Sequence, residues 1–354
     1  VECATNFGAL PVKGSFFALL PAKHVGGSGG ECRCIAVTEP RLAAELIARA
    51  RARRVVDLSL ALDEDLPVVW PGRGPGEEGA RYVGTVLNAF SPSRGPYFAL
   101  THLLDSMAGT HLLLPSFSLP RDRAELDAAE PAIRAAVTEH ERRFGPLPAS
   151  DAATESADLS ATIGPAHVVD VRRTRGHGGF SAGHPAGPVI NRAYLEEHEA
   201  ERPFLPGEVV ILRTGFSDDF FRTLPAAPEK DPFVVAPLEG LAEGWPAPTP
   251  EAVRWLAERG IRCIATDAPT LGGVDARESR SVEWMAASLD VAVIEGLAEI
   301  GAIADSDAFF LFAPVKIAGT RGGYGRAIAL VGDAATAGSS PSPSSPSTPS
   351  GDCR

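Results

Sequence analysis

Three side chains stand out as candidates for chemistry: one histidine and two glutamates. In DSMAGTHLLLPSF, residues 105–117, Gly109 and Thr110 permit a tight turn that sets a hydroxyl beside the imidazole of His111, and Pro115 stiffens the exit. Glu283 opens the helical segment EWMAASL and Glu295 closes the apolar run VAVIE, so a helix-turn-strand hairpin would bring both carboxyls to one locus. A carboxylate ending an apolar strand is costly unless it is paired, bound to metal or at an open strand end. For Glu283 a surface helix position is the competing reading. Of the other histidines, His102 reads as a satisfied core residue on an apolar strand. His177 and His184 flank GHGGFSAGHPAG and read as parts of an exposed, flexible loop.

The elements that must position these groups have an alternating texture. VVDLSLALDEDLPVV, AHVVDVRR, EVVILRTGF, IRCIATDAPT and DVAVIEGLAEI are short β-branched runs of the kind that form buried strands. TPEAVRWLAERG between two of them predicts a helix with Thr249 as cap, Pro250 after it, an apolar stripe at Val253, Leu256 and Ala257, and Gly260 at the end. Strand, helix and strand in this order indicate an α/β domain over residues 55–332. Residues 121–143 read as helical and 146–163 as a polar loop, so 121–163 is expected to be a surface insertion. Residues 1–54 read as a peripheral extension carrying a helix with Thr38 as N-cap and Pro40 in its first turn. The Ser/Pro-rich stretch 333–354 is expected to be a disordered tail, because it has too little apolar surface to offset its ordering entropy.

Composition narrows the function classes. At 354 residues, 44% hydrophobic and 22% charged, the chain can bury a full core. A formal charge of −12 argues against nucleic acid as a partner, and the basic clusters Arg49 to Arg54 and Arg172 to Arg175 are short and lack interleaved aromatics. No apolar run reaches bilayer-spanning length. Cys3, Cys32, Cys34 and Cys353 fall in the terminal extensions with no zinc-site spacing and read as free thiols; Cys263 falls in a strand. VKGSFFALLPAKH makes a poor signal peptide, so the compartment stays open, with a cytoplasmic one expected first.

Six segments in order resemble the kynurenine formamidase-like, or putative cyclase, family. VVDLSLALDEDLPVVWPG is similar to its opening, AGTHLLLP to its H-x-G-T-H-x-D-x-P-x-H signature, and PGEVVILRTGF, IRCIATDAPTL, VAVIEGLAEIGAI and VKIAGTRGGYGRAIAL to its later strands and closing motif. The resemblance runs from about Val55 to Val331. It implies a swivelling β/β/α fold, a homodimer, and a hydrolase that uses Zn or Mn to activate water against an amide of a small molecule.

Carried over residue by residue, the ligand pattern is altered. Met107 stands where the resemblance implies the first ligand His, Leu113 at the bridging Asp, Phe117 at the proton-transfer His and Glu283 at the later His; His111 and Glu295 fit the ligand types. Tyr324 replaces a proline of the closing motif. A two-metal site needs bridging anions that Leu113 does not offer. Three chemistries stay open. In the first, a metal-assisted amide or lactone hydrolase of arylformamidase type, one Zn or Mn is held by His111, Glu283 and Glu295, with Glu283 or Asp105 accepting the proton. In the second, Met107, Thr110, Leu113 and Phe117 line a metal-free pocket whose carboxyls do acid–base work. In the third, the fold is kept for binding alone.

Overall fold

The computed structural model describes residues 4–332 except 28, 53, 64–82, 94, 96, 121, 130, 149–151 and 222–232. The Ser/Pro-rich tail, Cys3 and Cys353 lie outside the described residues, as does much of the opening motif after Asp63.

The amino-terminal segment forms an antiparallel hairpin of β1 (Phe16–Pro21) and β2 (Cys32–Val37), followed by helix α1 (Pro40–Arg51). The cap of α1 is Glu39, not Thr38: its carboxylate accepts the N–H groups of Arg41 and Leu42, and a negative charge there also suits the helix dipole. Ala43 and Leu46 of α1 pack with Phe16 and Ala18 against Phe309, Leu311 and Leu330. The segment expected to be peripheral is therefore seated on the central sheet.

Along the chain follow β3 (Val55–Asp57), the hairpin of β4 (Val83–Asn88) and β5 (Ala99–Leu103), then β6 (His111–Leu113), α2 (Pro115–Ser118), α3 (Arg123–Ala128) and α4 (Pro131–Phe144). Strand β7 (Ile163–Asp170), β8 (Val189–Ile190), α5 (Arg192–Glu201), β9 (Val209–Arg213), α6 (Phe216–Phe220) and α7 (Val235–Leu238) come next. The remainder is β10 (Ala247–Pro248), α8 (Pro250–Glu258), β11 (Cys263–Thr266), α9 (Ala276–Ser288), β12 (Ala292–Glu295), β13 (Ala308–Pro314) and β14 (Gly322–Val331). Helix α8 is capped as its sequence predicts, with the Thr249 hydroxyl accepting from the Ala252 amide and Gly260 leaving the helix at φ +81°.

Seven strands close on themselves in the order β13-β7-β9-β11-β12-β6-β14, with β14 pairing back onto β13 and β3 lying beside β14. Strands β7, β9, β11 and β12 are parallel, while β6, β13 and β14 join them antiparallel. Alternation sorts the side chains into two layers. Ile211, Cys263, Ala265, Ile294, Phe310, Phe312, Ala327 and Ala329 share the interior cluster. Val210, Leu212, Ile264 and Val293 face outward against the apolar stripes of α5, α8 and α9. Burial on both faces explains why these strands read as continuous apolar runs. Helices α3 and α4 occupy most of the stretch 121–143 expected to be helical; Leu126 and Val137 pack on Trp284 of α9, the helix that carries Glu283. Among the described residues no helix is long and apolar enough to cross a membrane.

Candidate functional site

The site is built from strand register. Strand β6 lies between β12 and β14, with His111 directly opposite Glu295 on one side and Tyr324 on the other. Opposed residues of an antiparallel pair project to the same face. With Leu112 and Ile294 in the interior, His111 and Glu295 both turn outward, toward α9. Their contact is direct: Nε2 of His111 lies 3.0 Å from Oε2 of Glu295, and both side chains are buried.

Every remaining polar atom of this pair is occupied. His111 Nδ1 lies 2.9 Å from the Gly109 carbonyl, and Glu295 Oε1 accepts the Leu271 amide at 2.6 Å. Both imidazole nitrogens thus face acceptors, an environment satisfied by the doubly protonated ring. Burial by itself would lower the His111 pKa, but the hydrogen bond and charge of Glu295 outweigh it and raise the pKa.

The Gly109-Thr110 turn performs a structural task. Gly109 adopts φ +60°, and a Cβ there would approach Leu62 Cδ2 to 2.9 Å, so glycine is required. The Thr110 hydroxyl donates to the Gly296 carbonyl at 2.6 Å and accepts the Leu60 amide at 2.9 Å. It clamps the entry of β6 between the chain after β3 and the end of β12.

Glu283 lies on α9 with Oε2 3.3 Å from the Ser118 hydroxyl and Oε1 3.5 Å from that of Ser279. Burial, reinforced by the charge of Glu295, pushes its pKa up to about 7. It lines a cavity of about 10 Å³ together with Leu113, Ser118, Ala287 and Val293.

The expected apolar wall is met in part, with Met107 and Leu113 in one cluster and Phe117 exposed. Leu113 is buried with Val293, Val282 and Met285 under α9. Met107 packs against the same cluster, its Cε only 2.5 Å from where a Cβ on Gly322, the residue opposite Leu113, would lie. Phe117 on α2 is 42% exposed, and the Thr110 hydroxyl is consumed by backbone. Position 117 lies on a short helix with its ring exposed, whereas position 113 lies on a buried strand.

The three-ligand ion is likewise not assembled. Among the described residues no three His, Cys, Asp or Glu side chains are grouped so as to hold a metal ion. His111 and Glu295 come together, but their donor atoms serve each other and the backbone, and Glu283 is held by serines. An imidazole protonated at both nitrogens has no lone pair for a metal. The residues present do not fit the family's metal centre.

A buried carboxyl and the contact made by Tyr324 escaped sequence reasoning. Asp267, just after β11, is buried and accepts the amides of Thr214 and Gly215 and the Thr214 hydroxyl, while burial pushes its pKa up to about 6. Its sequence signal, a carboxylate closing an apolar strand, is the one that singled out Glu295. Tyr324 donates to Glu31 Oε1 at 3.0 Å, and the same oxygen lies 2.9 Å from His24 Nε2. The His24 hydrogen bond is the main cause holding the Glu31 pKa down at about 2. No sequence spacing announces a contact made from the amino-terminal hairpin. His102 stacks on His24 at 4.4 Å between ring centroids and is not a core residue, whereas His177 and His184 are exposed, as read.

Comparisons extend the picture. An isatin hydrolase bound to the product analogue thioisatinate is similar to the chain at 17% identity and TM-score 0.59, covering 83% of this chain and 99% of the other. Isatin hydrolase A from Labrenzia aggregata, bound to benzyl benzoate, gives 21% and 0.57 over 81% of this chain and 98% of its own. Isatin hydrolase A from Ralstonia solanacearum gives 21% and 0.56 over 84% and 98%. At these identities the likeness is one of fold. No curated protein matches the chain in sequence. The putative cyclase family model matches residues 56–272, more than half of the sequence and the part that includes the Gly109-Thr110-His111 turn, and by this match the chain belongs to the putative cyclase family.

Proposed function

We propose that this protein hydrolyses an amide or lactone bond of a small molecule, as an arylformamidase-type member of its family that works by metal-free acid–base chemistry. The observation that carries this reading is Glu283, a carboxyl with a pKa of about 7 beside the buried His111–Glu295 pair. A group titrating near the working pH can serve in both directions. As carboxylate, Glu283 takes a proton from the attacking water; as acid, it returns one to the leaving nitrogen or oxygen. The His111 ring, fixed by the Gly109 carbonyl and by Glu295, which favours its protonated form, contributes positive charge near the developing oxyanion. We read the enzyme as a homodimer on the strength of the family resemblance alone.

One observation favours a second reading. The cavity at Glu283, about 10 Å³, is the size of a single water rather than a substrate, which suits a relative that keeps the fold without the reaction. N-formyl aryl amides and simple lactones, assayed with and without chelator, separate the two. Turnover that survives chelation, follows a pH midpoint near 7 and is lost in Glu283→Gln supports the acid–base hydrolase. Turnover that depends on Zn or Mn overturns it. A native protein without activity, beside an active Met107→His, Leu113→Asp, Phe117→His variant, establishes the non-catalytic relative.

A further inference from the structure

Strand β7 has an edge that the barrel leaves open. Strand β13 pairs only with its first residues, Phe309 opposite Pro165, Phe310 opposite Gly164 and Leu311 opposite Ile163. The chain before β13 turns away instead of continuing the ladder: the Ser306 amide donates to the Ile303 carbonyl, and the Asp307 carbonyl accepts the Gly332 amide. Between residues 304–307 and the second half of β7 lies a cleft of about 1440 Å³, lined among others by Val168, Asp170, Tyr194, Arg202 and Asp305. A small-molecule site takes roughly 300–1,000 Å³, so this cleft has room for a longer, extended ligand.

Backbone groups of a strand point alternately to its two edges. The Val171 amide donates to the Arg213 carbonyl of β9, so the odd-numbered residues of β7 face β9, and Ala166, Val168 and Asp170 direct their N–H and C=O groups into the cleft. Two side chains that line the cleft bear this out. Arg202 Nη2 donates to the Ala166 carbonyl at 3.0 Å, and the Tyr194 hydroxyl donates to the Asp170 carbonyl at 2.6 Å. Among the described residues, neither the amide nor the carbonyl of Val168, between these two caps, has a hydrogen-bond partner. Unpaired groups on a strand edge are a template for a further strand.

The charges of the cleft select what that strand carries. Arg172 and Arg173 are held by Asp170 and Glu197, Arg213 approaches Asp170 at 3.4 Å, Arg202 approaches Glu208 at 3.9 Å, and Asp307 pairs with Arg49. Glu201 and Asp305 line the cleft without an ion pair among the described residues. Two uncompensated carboxylates, on a chain of formal charge −12, favour a cationic ligand. A strand beside β7 would turn one face, with Val168 and Ala304, toward the apolar barrel interior and the other toward α5. We propose that an extended peptide of alternating small apolar and basic residues adds to β7 as a strand. Its backbone pairs with Val168, and its lysine or arginine side chains meet Glu201 and Asp305.

The test is an NMR titration of the full chain with the peptide acetyl-Ala-Lys-Val-Lys-Ala-amide at up to millimolar concentration, with hydrogen exchange of the Val168 amide as a second readout. Saturable shifts along β7 and slowed exchange at Val168 are expected. The same peptide built with N-methylvaline, which lacks a ladder donor, should bind several-fold more weakly, as should the peptide with Glu in place of Lys. The double variant Glu201→Lys, Asp305→Lys changes only exposed side chains and should reverse the preference between the Lys and Glu peptides. Absence of binding, unchanged exchange at Val168 in the bound state, or equal binding of the N-methylvaline peptide, which would mark attraction by charge alone, overturns the proposal.

Discussion

Replacing Glu283 by Gln probes the energetics on which the proposed chemistry depends. The native carboxyl titrates at about 7 instead of 4.5, because burial and the charge of Glu295 oppose its ionisation. Below pH 4.5 the folded and unfolded chains both hold the proton and the site costs nothing. As pH rises from 4.5 to about 7 the unfolded chain releases its proton first, so stability falls; above about 7 the loss is complete. At about 1.4 kcal/mol per pKa unit, the rise from 4.5 to about 7 amounts to roughly 3 kcal/mol. This is an upper figure, since solvent reaches part of the side chain. Gln keeps the shape and can still hydrogen-bond Ser118 and Ser279, but it carries no charge. Urea unfolding should therefore find Glu283→Gln close to the parent at about pH 4.5 and more stable by about 2–3 kcal/mol at about pH 8. A stability difference that is the same at both pH values, or a parent that is the more stable at the higher one, would refute the assignment of a raised pKa to this residue.

Other substitutions examine the frame around it. His111→Ala leaves Glu295 buried with the Leu271 amide as its hydrogen-bond donor and should cost about 3–5 kcal/mol by urea unfolding, much of which the His111→Leu, Glu295→Leu double variant should recover. Gly109→Ala forces a side chain into a left-handed conformation against Leu62, and a loss of at least ~1–2 kcal/mol should lower the Tm. Leu113→Asp and Phe117→His offer a contrast at two positions that the family signature treats alike. The first buries a charge under α9 and should destabilise by about 3 kcal/mol or more, while the second changes an exposed residue and should stay within ~0.5 kcal/mol.

The fold was legible where physics is local. Thr249, Pro250 and Gly260 announced α8, and the β-branched runs announced β7, β9, β11 and β12, because capping, turn conformation and two-sided burial act over a few residues. Closure of the strands was not legible, since β6 inserts between β12 and β14 from far away in sequence. The same separation, 184 positions, hid the pairing of His111 with Glu295. Both residues could be nominated from their costly surroundings, but only register shows that they satisfy each other. Of the expected wall, Met107 and Leu113 lie in one apolar cluster, whereas Phe117 is exposed on α2: adjacency in sequence does not survive the passage from a strand into a helix. Glu39 in place of Thr38 as the α1 cap is a smaller instance, decided by which side chain reaches the first free amides.

The arrangement around His111 follows from charge balance. A buried carboxylate needs a cation, hydrogen-bond donors or a proton. In this site Leu113 offers no anion that could bridge metal ions. The remaining carboxyls have each found another partner. Glu295 takes the charge of His111 and the Leu271 amide; Asp267 takes the amides and hydroxyl at Thr214 and Gly215; Glu283, with two serine hydroxyls as its neighbours, holds a proton of its own up to a pKa of about 7. Restoring Asp at 113 alone would therefore add a buried anion to a site with no spare cation. Metal binding should return only when Met107→His accompanies Leu113→Asp, and only if His111 can surrender the proton it shares with Glu295.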